Sequence, residues 1–117
     1  MIRTGDVILA RVPQADGGDK LRPALVLCAL PGRSRDLLVS GISSQLHHRL
    51  DGWDALIRPV DASFAATGLR AASIVRLSFL ASLPPAAIEG GIGRVEPKLL
   101  DALQRWLARH LRRSRPA

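Results

Sequence analysis

The chain has 117 residues, 47% of them apolar and 23% charged, with a formal net charge of +7. That length fits one domain around one core, and that composition excludes wholesale disorder. The single cysteine, Cys28, excludes an internal disulfide framework and any zinc site built from several thiolates.

Short apolar runs separated by turn residues predict small strands in a barrel or sandwich. Gly5 to Val12 is the first, with Val7 and Leu9 on one face, and Pro13 ends it. Residues 13–21 then form a polar, glycine-containing loop, longer than a hairpin needs and so a candidate for function. Ala24 to Leu30 is nearly all apolar and predicts a central strand, followed by a turn over Pro31 to Arg35 and a strand from Asp36 to Ser43. Ser44 to Gly52 is polar and irregular. Asp54 to Val60 and Ala72 to Phe79 predict further strands, with a short helical turn between them over Asp61 to Gly68. The glycine-rich stretch Ile88 to Val95 predicts a last, distorted strand. Pro97 then suits a first helical turn, and Leu99, Leu103, Leu107 and Leu111 make one apolar stripe at helical spacing. The expected fold class is mainly β: a small SH3-like barrel of five to six strands with a C-terminal α-helix. One domain spans 1–117, with a basic end over 112–117 that is expected to fray.

The charge is uneven. Five arginines (Arg105, Arg109, Arg112, Arg113 and Arg115) fall in the last thirteen residues, which hold no acid. The rest of the chain carries 12 basic and 10 acidic side chains, so the charge belongs to the tail more than the body. Such a tail can attract phosphates, or can simply suit the negative end of a helix. Fifteen of the seventeen basic residues are arginine, which fits a GC-rich coding bias as well as it fits RNA binding. The longest uncharged run, 77–88, is too short to span a bilayer and contains Pro84 and Pro85. The four apolar residues from Val7 to Ala10 are too few for a secretory signal, so a cytoplasmic protein with no membrane partner is expected. A mean hydropathy of +0.12 suggests that a partner covers some apolar surface.

No phosphate-binding glycine loop, nucleophile elbow or metal-binding helix pair is present. His47 and His48 are adjacent, and extended backbone would point them apart. His110 suits the last turn of the helix as a cation. Cys28, inside an apolar strand, reads as a small buried hydrophobe.

Three stretches together resemble the MazF/PemK (Kid-like) toxin family. The first is Gly5-Asp6-Val7-Ile8-Leu9, the glycine loop, and then Lys20-Leu21-Arg22-Pro23-Ala24-Leu25-Val26-Leu27. The second is Val39-Ser40-Gly41-Ile42-Ser43-Ser44-Gln45, and the third runs from Thr67-Gly68-Leu69 to Ser73-Ile74-Val75-Arg76. The final helix, Glu96-Pro97 followed by leucines, also fits. The resemblance implies the toxin of a type II toxin–antitoxin pair: a homodimer, bound by a cognate antitoxin, that cuts single-stranded mRNA at short motifs. It implies cleavage through the 2′-hydroxyl without metal or other cofactor, leaving 2′,3′-cyclic phosphate and 5′-hydroxyl ends. Carried over by position, the catalytic residues are Arg22, Ser43 and Arg76. The acid that one branch of the family has two residues beyond the last arginine is Ser78 here, so no base is named.

The chemistry suits these residue types. Arginine presents a planar fork of donors to phosphate oxygens and holds its proton too tightly for acid–base work. Arg22 and Arg76 would therefore stabilise charge, and Ser43 would donate a hydrogen bond worth ~100-fold in rate. Asp16 and Asp19 in the loop are candidate proton acceptors. Asp16, Lys20, Ser44, Gln45, His47 and Trp53 are candidate RNA contacts, Trp53 as a stacking platform. Taken singly, Arg22, Ser43 and Arg76 could equally be strand punctuation, a turn former and a solvated strand residue. Two other functions stay open: a non-catalytic binder on the same barrel, like the gyrase poison CcdB, and a plain dimeric scaffold.

Overall fold

The computed structural model describes residues 1–13, 15–114 and 116. Six strands are present: β1 (Asp6–Pro13), β2 (Asp19–Ala29), β3 (Leu37–Ser43), β4 (Ala55–Ile57), β5 (Ser73–Leu83) and β6 (Ile88–Arg94). One helix, α1 (Pro97–Arg113), follows them. The strands form one curled antiparallel sheet in the order β4-β5-β3-β2-β1-β6, a half-barrel closed over by α1. This is the expected mainly-β barrel with its C-terminal helix.

Several element boundaries differ from the sequence expectation. β1 ends at Pro13, as expected, but Pro13 pairs with Asp19, Val12 with Lys20 and Arg11 with Leu21, so β2 begins five residues early. The polar composition of 19–21 marks exposed strand, because this end of the hairpin has solvent on it. β4 shrinks to three residues, and β5 runs four residues past Phe79 to Leu83. The helix continues through Arg113 to a C-cap at Ser114; Arg115 and Ala117 of the expected frayed end lie outside the described residues.

Both faces of the sheet are buried. One core holds Val7, Leu25, Leu27, Ile42, Val75, Leu77 and Leu103. The other holds Ile8, Ala10, Ala24, Val26, Val39 and Leu83. A strand buried on both faces loses the polar alternation that marks a half-exposed strand, which is why β1 and β2 read as continuous apolar runs. α1 seals the first core with Leu99, Leu100, Leu103, Trp106 and Leu107. Leu111, expected to continue that stripe, is 65% exposed because the helix end projects beyond the sheet. Gln104 ties the helix down, its side-chain amide donating to the Leu27 carbonyl at 2.8 Å where β2 bulges away from β3. Opposite, a turn at Ala65–Thr67 presses onto β6. A Cβ on Gly68 (φ +74°) would collide with the Ile92 carbonyl, and one on Gly93 with the backbone of Ala66 and Thr67. The glycines thus permit the closure of the barrel.

Candidate active site

Strand alternation aims the second core's face at one end of the molecule. Along β2, Ala24 and Val26 face that core, so Arg22 points the same way beyond it. Ala24 pairs with Gly41 of β3, and Gly41 with Arg76 of β5. Residues directly across a ladder share a face, so Arg22, Gly41, Ser43 and Arg76 form one patch. There the apolar core gives way to a cavity of about 310 Å³, lined by Val12, Arg22, Pro23, Gly41, Ile42, Ser43, Gln45, His48, Arg76 and Phe79. A second cavity of about 490 Å³ shares Arg22, Pro23, Ile42, Ser43 and Gln45 and adds Ser44, Gly68, Leu69, Arg70 and Ser73. The two are halves of one groove.

A β-bulge shapes the groove. Ser40 pairs with Leu80 and the next residue, Gly41, with Arg76, which leaves Leu77, Ser78 and Phe79 of β5 without strand partners. Such bulges re-aim side chains. Here Phe79 folds over Gly41, where a Cβ would stand 2.9 Å from its ring. The unpaired backbone is satisfied from elsewhere. Asp54, 1% exposed, accepts from the Leu77 N–H at 3.0 Å through one carboxylate oxygen and from the Leu50 N–H at 2.9 Å through the other. Ser40, fully buried, donates its hydroxyl to the Arg76 carbonyl at 2.6 Å. Trp53 donates its indole N–H to the Ser78 hydroxyl at 2.8 Å. Two side chains, Ser40 and Asp54, thus fix the backbone around Arg76, and Trp53 holds the neighbouring Ser78 side chain.

The guanidinium itself is left open. Arg76 Nε is buried and has no hydrogen-bond partner. A buried donor without a partner costs about 1–3 kcal/mol, and such groups in a cavity call for an explanation. Among the described residues, no carboxylate pairs with Arg22, Arg70 or Arg76, and none lines either cavity. Three uncompensated guanidinium groups around one concavity focus positive potential on it. Ser43 accepts from the Gln45 N–H at 3.0 Å, which leaves its hydroxyl proton available to a ligand. The site can therefore hold an anion through charged forks and a hydroxyl.

Of the residues expected at the site, Arg22, Ser43, Arg76 and Gln45 meet in the first cavity, and Ser44 joins them in the second. Lys20 is two residues from Arg22 on the same face of β2, outside both cavities. Asp16 is exposed and accepts from the Gly18 N–H at 3.0 Å, also outside them. Trp53 is not on the groove: its ring packs half-buried against the α1 core and stands 5.0 Å from the His110 ring. The two adjacent histidines do not point apart. Leu46–His48 is a 3₁₀ turn, and the rings lie 4.1 Å apart, tilted by 59°. His48 lines the cavity and His47 does not. The sequence reading missed Asp54 and Gly41 as supports, and of the two adjacent histidines it named His47 where His48 lines the cavity. The turn-forming Ser43-Ser44-Gln45 before the histidines was the available signal.

Among the described residues, no helix is long and apolar enough to cross a membrane, and no three His, Cys, Asp or Glu side chains cluster as a metal site. No curated protein sequence matches the chain significantly. Among solved structures, the Mycobacterium tuberculosis toxin MazF-mt6 is similar, with a TM-score of 0.68 at 18% identity over 94% of this chain and 99% of that one. At that identity the likeness concerns the fold. The family model for PemK-like, MazF-like toxins of type II toxin–antitoxin systems matches residues 3–111. With nearly the whole barrel and helix inside that match, the chain belongs to this toxin family.

Proposed function

We propose that the protein is an endoribonuclease toxin that cuts single-stranded mRNA within the groove at short motifs. The observation that carries this is the buried, unpartnered Arg76 Nε in a cavity shared with Arg22 and Ser43 and free of lining carboxylates. Toxins of this family are known for cleaving RNA, and a phosphodiester is the ligand that such a donor set fits. The RNA's own 2′-oxygen attacks the adjacent phosphorus, and the 5′-oxygen leaves. A 2′,3′-cyclic phosphate and a 5′-hydroxyl result. Charge grows on the non-bridging oxygens as the phosphorane forms. Arg22 and Arg76 neutralise it, and the Ser43 hydroxyl donates to one of those oxygens. The backbone around Arg76 is already fixed by Ser40 and Asp54, so little of the site must reorganise during reaction. The second half of the groove, with Arg70 and Leu69, accommodates flanking nucleotides. A cognate antitoxin covering this groove and a homodimeric assembly belong to the same proposal, as does activity in the cytoplasm without metal.

The test is cleavage of a long mixed-sequence RNA by the pure protein in excess EDTA, beside Arg22→Ala. Discrete cuts with cyclic phosphate ends, absent in the folded variant, are expected. Parental cutting by folded Arg22→Ala would refute the assignment. One observation favours a second, non-catalytic reading. Ser78, where some relatives carry an acid, lines neither cavity, and its hydroxyl oxygen accepts from the Trp53 indole. A binder on this barrel would leave RNA intact and capture gyrase or antitoxin instead.

A further inference from the structure

The groove holds one group suited to moving a proton near neutral pH. Its other ionisable lining residues are Arg22, Arg70 and Arg76, which keep their protons. Among the described residues, no acid lines the groove, and Asp19 is exposed on β2 outside both cavities. Asp54 is held by two backbone N–H groups, Asp51 by Arg49 and Asp61 by Arg58, and Asp16 closes its own loop. The hydroxyl of Ser78 is held by the Trp53 indole. His48 remains, on the wall that also carries Arg22, Ser43 and Arg76. Resting on the ribonuclease reading above, we infer that His48 is the catalytic residue that takes the 2′-hydroxyl proton.

Its position is built, not incidental. The Ser43 hydroxyl accepts from the Gln45 N–H, and the Gln45 carbonyl accepts from the His48 N–H at 3.1 Å. One short relay therefore sets the phosphate donor and the imidazole together. Farther along, the Leu50 N–H is anchored on buried Asp54, so the turn is fixed at both ends. His47 packs its ring against His48 and narrows the orientations open to it.

The step balances as follows. The neutral imidazole removes the 2′-hydroxyl proton, and the 2′-oxygen forms its bond to phosphorus. The P–O5′ bond breaks with its electron pair on the 5′-oxygen, which takes a proton from water. The imidazolium returns its proton to solvent, and no redox change occurs. Acid–base catalysis of this kind is worth about 10²–10⁴-fold.

The charged and titratable groups that face His48 are His47 in its own turn, Arg22 from β2 and Arg76 from β5; Arg49, next in the chain, pairs with Asp51 at 3.2 Å. The experiment measures single-turnover cleavage of an oligonucleotide spanning a cut site mapped on the long RNA. Wild type, His48→Gln, His48→Ala and Arg22→Ala are compared from about pH 5 to 8, the range in which imidazoles titrate. Binding of the same oligonucleotide with 2′-deoxyribose at the cut position is measured in parallel. The expected result is a loss of about 10²-fold or more in His48→Gln, with the acid limb of the profile gone and binding of the deoxy probe within about threefold. Partial rescue of His48→Ala by added imidazole is also expected. A folded His48→Gln protein with the parental rate and acid limb, beside a dead Arg22→Ala, would overturn the role of His48 and leave the nuclease standing. Equal loss of cleavage and probe binding would make His48 a binding residue and overturn proton transfer. Failure of the wild-type protein to cut any RNA would overturn both.

Discussion

The arginines of the groove and those at the end of α1 are the same side chain in two physical situations. Arg105, Arg109, Arg112 and Arg113 lie exposed on a convex helix end, where water and salt screen them. One of them, Arg105, also pairs with Asp101 at 2.8 Å. Arg76 lies half-buried in a concavity, its Nε without a partner and its backbone held by Ser40. The helix end dominates the net charge, yet the groove is where a guanidinium has given up water without gaining a carboxylate. Confinement, more than charge count, marks the anion site. The variants below are chosen to separate the two regions.

The largest effect is expected in the groove. Arg76→Met keeps the aliphatic stem and deletes the guanidinium with its orphaned donor. Cleavage should fall by about 10²–10³-fold, as for loss of a preorganised donor to a developing oxyanion. Stability should hold or rise, because a buried unsatisfied group is removed. Single-turnover rates and urea midpoints check both halves. A variant that loses stability and keeps its rate would make Arg76 a structural residue.

Next comes the support beneath it. Asp54→Ala strands the Leu50 and Leu77 N–H groups, two donors at a buried site. A loss of about 2–4 kcal/mol is expected by urea denaturation, with Asp54→Asn between the two because its amide oxygen still accepts one of the bonds. Cleavage should weaken even where the protein stays folded, since both the β5 bulge and the turn before β4 depend on this carboxylate. A smaller effect is expected from Gly41→Ala. The new Cβ would meet the Phe79 ring, which is 42% exposed and can swing outward. That should cost about 1 kcal/mol and raise KM more than it lowers kcat, because the groove wall moves and the donors do not.

The two regions were also unequally legible in the sequence. The barrel and helix could be read because short apolar runs, glycines and a leucine stripe each carry a local signal. Arg22, Ser43 and Arg76 came from a resemblance, since an arginine beside a proline or inside a strand has no signature of its own. The register that joins them, Ala24 to Gly41 to Arg76, is a property of the sheet. Asp54 was invisible as a support: an aspartate before a short strand looks like an exposed turn, and its burial depends on a bulge 23 residues later. Trp53 misled for the reverse reason. Its polar neighbours suggested a solvated platform, whereas the end of α1 folds back to meet it. His48 could not be separated from His47, because adjacent residues diverge in a strand, whereas in this 3₁₀ turn the two tilted rings lie 4.1 Å apart.

The smallest effect is expected at the helix end, and it bears most directly on what the net charge means. Replacing Arg109, Arg112 and Arg113 together with glutamine removes three of the +7 charges without touching the groove. If these side chains only complement the helix C-terminus, stability falls by less than about 1 kcal/mol and cleavage changes by less than about threefold. If instead they hold RNA phosphates, each lost contact should reduce the slope of log K against log salt by about 0.7 for a single strand. Three contacts would flatten the salt dependence by about two units. The expected change is under one unit, measured as binding of a 2′-deoxy-substituted oligonucleotide across a salt series. Arg22→Ala in the same series should weaken binding at every salt concentration, because its guanidinium lines the cavity in which the phosphate is held. A flattening of two units would extend the RNA path from the groove to α1. The basic end would then be a second contact surface, and the distinction between confined and merely abundant charge would fail for this protein.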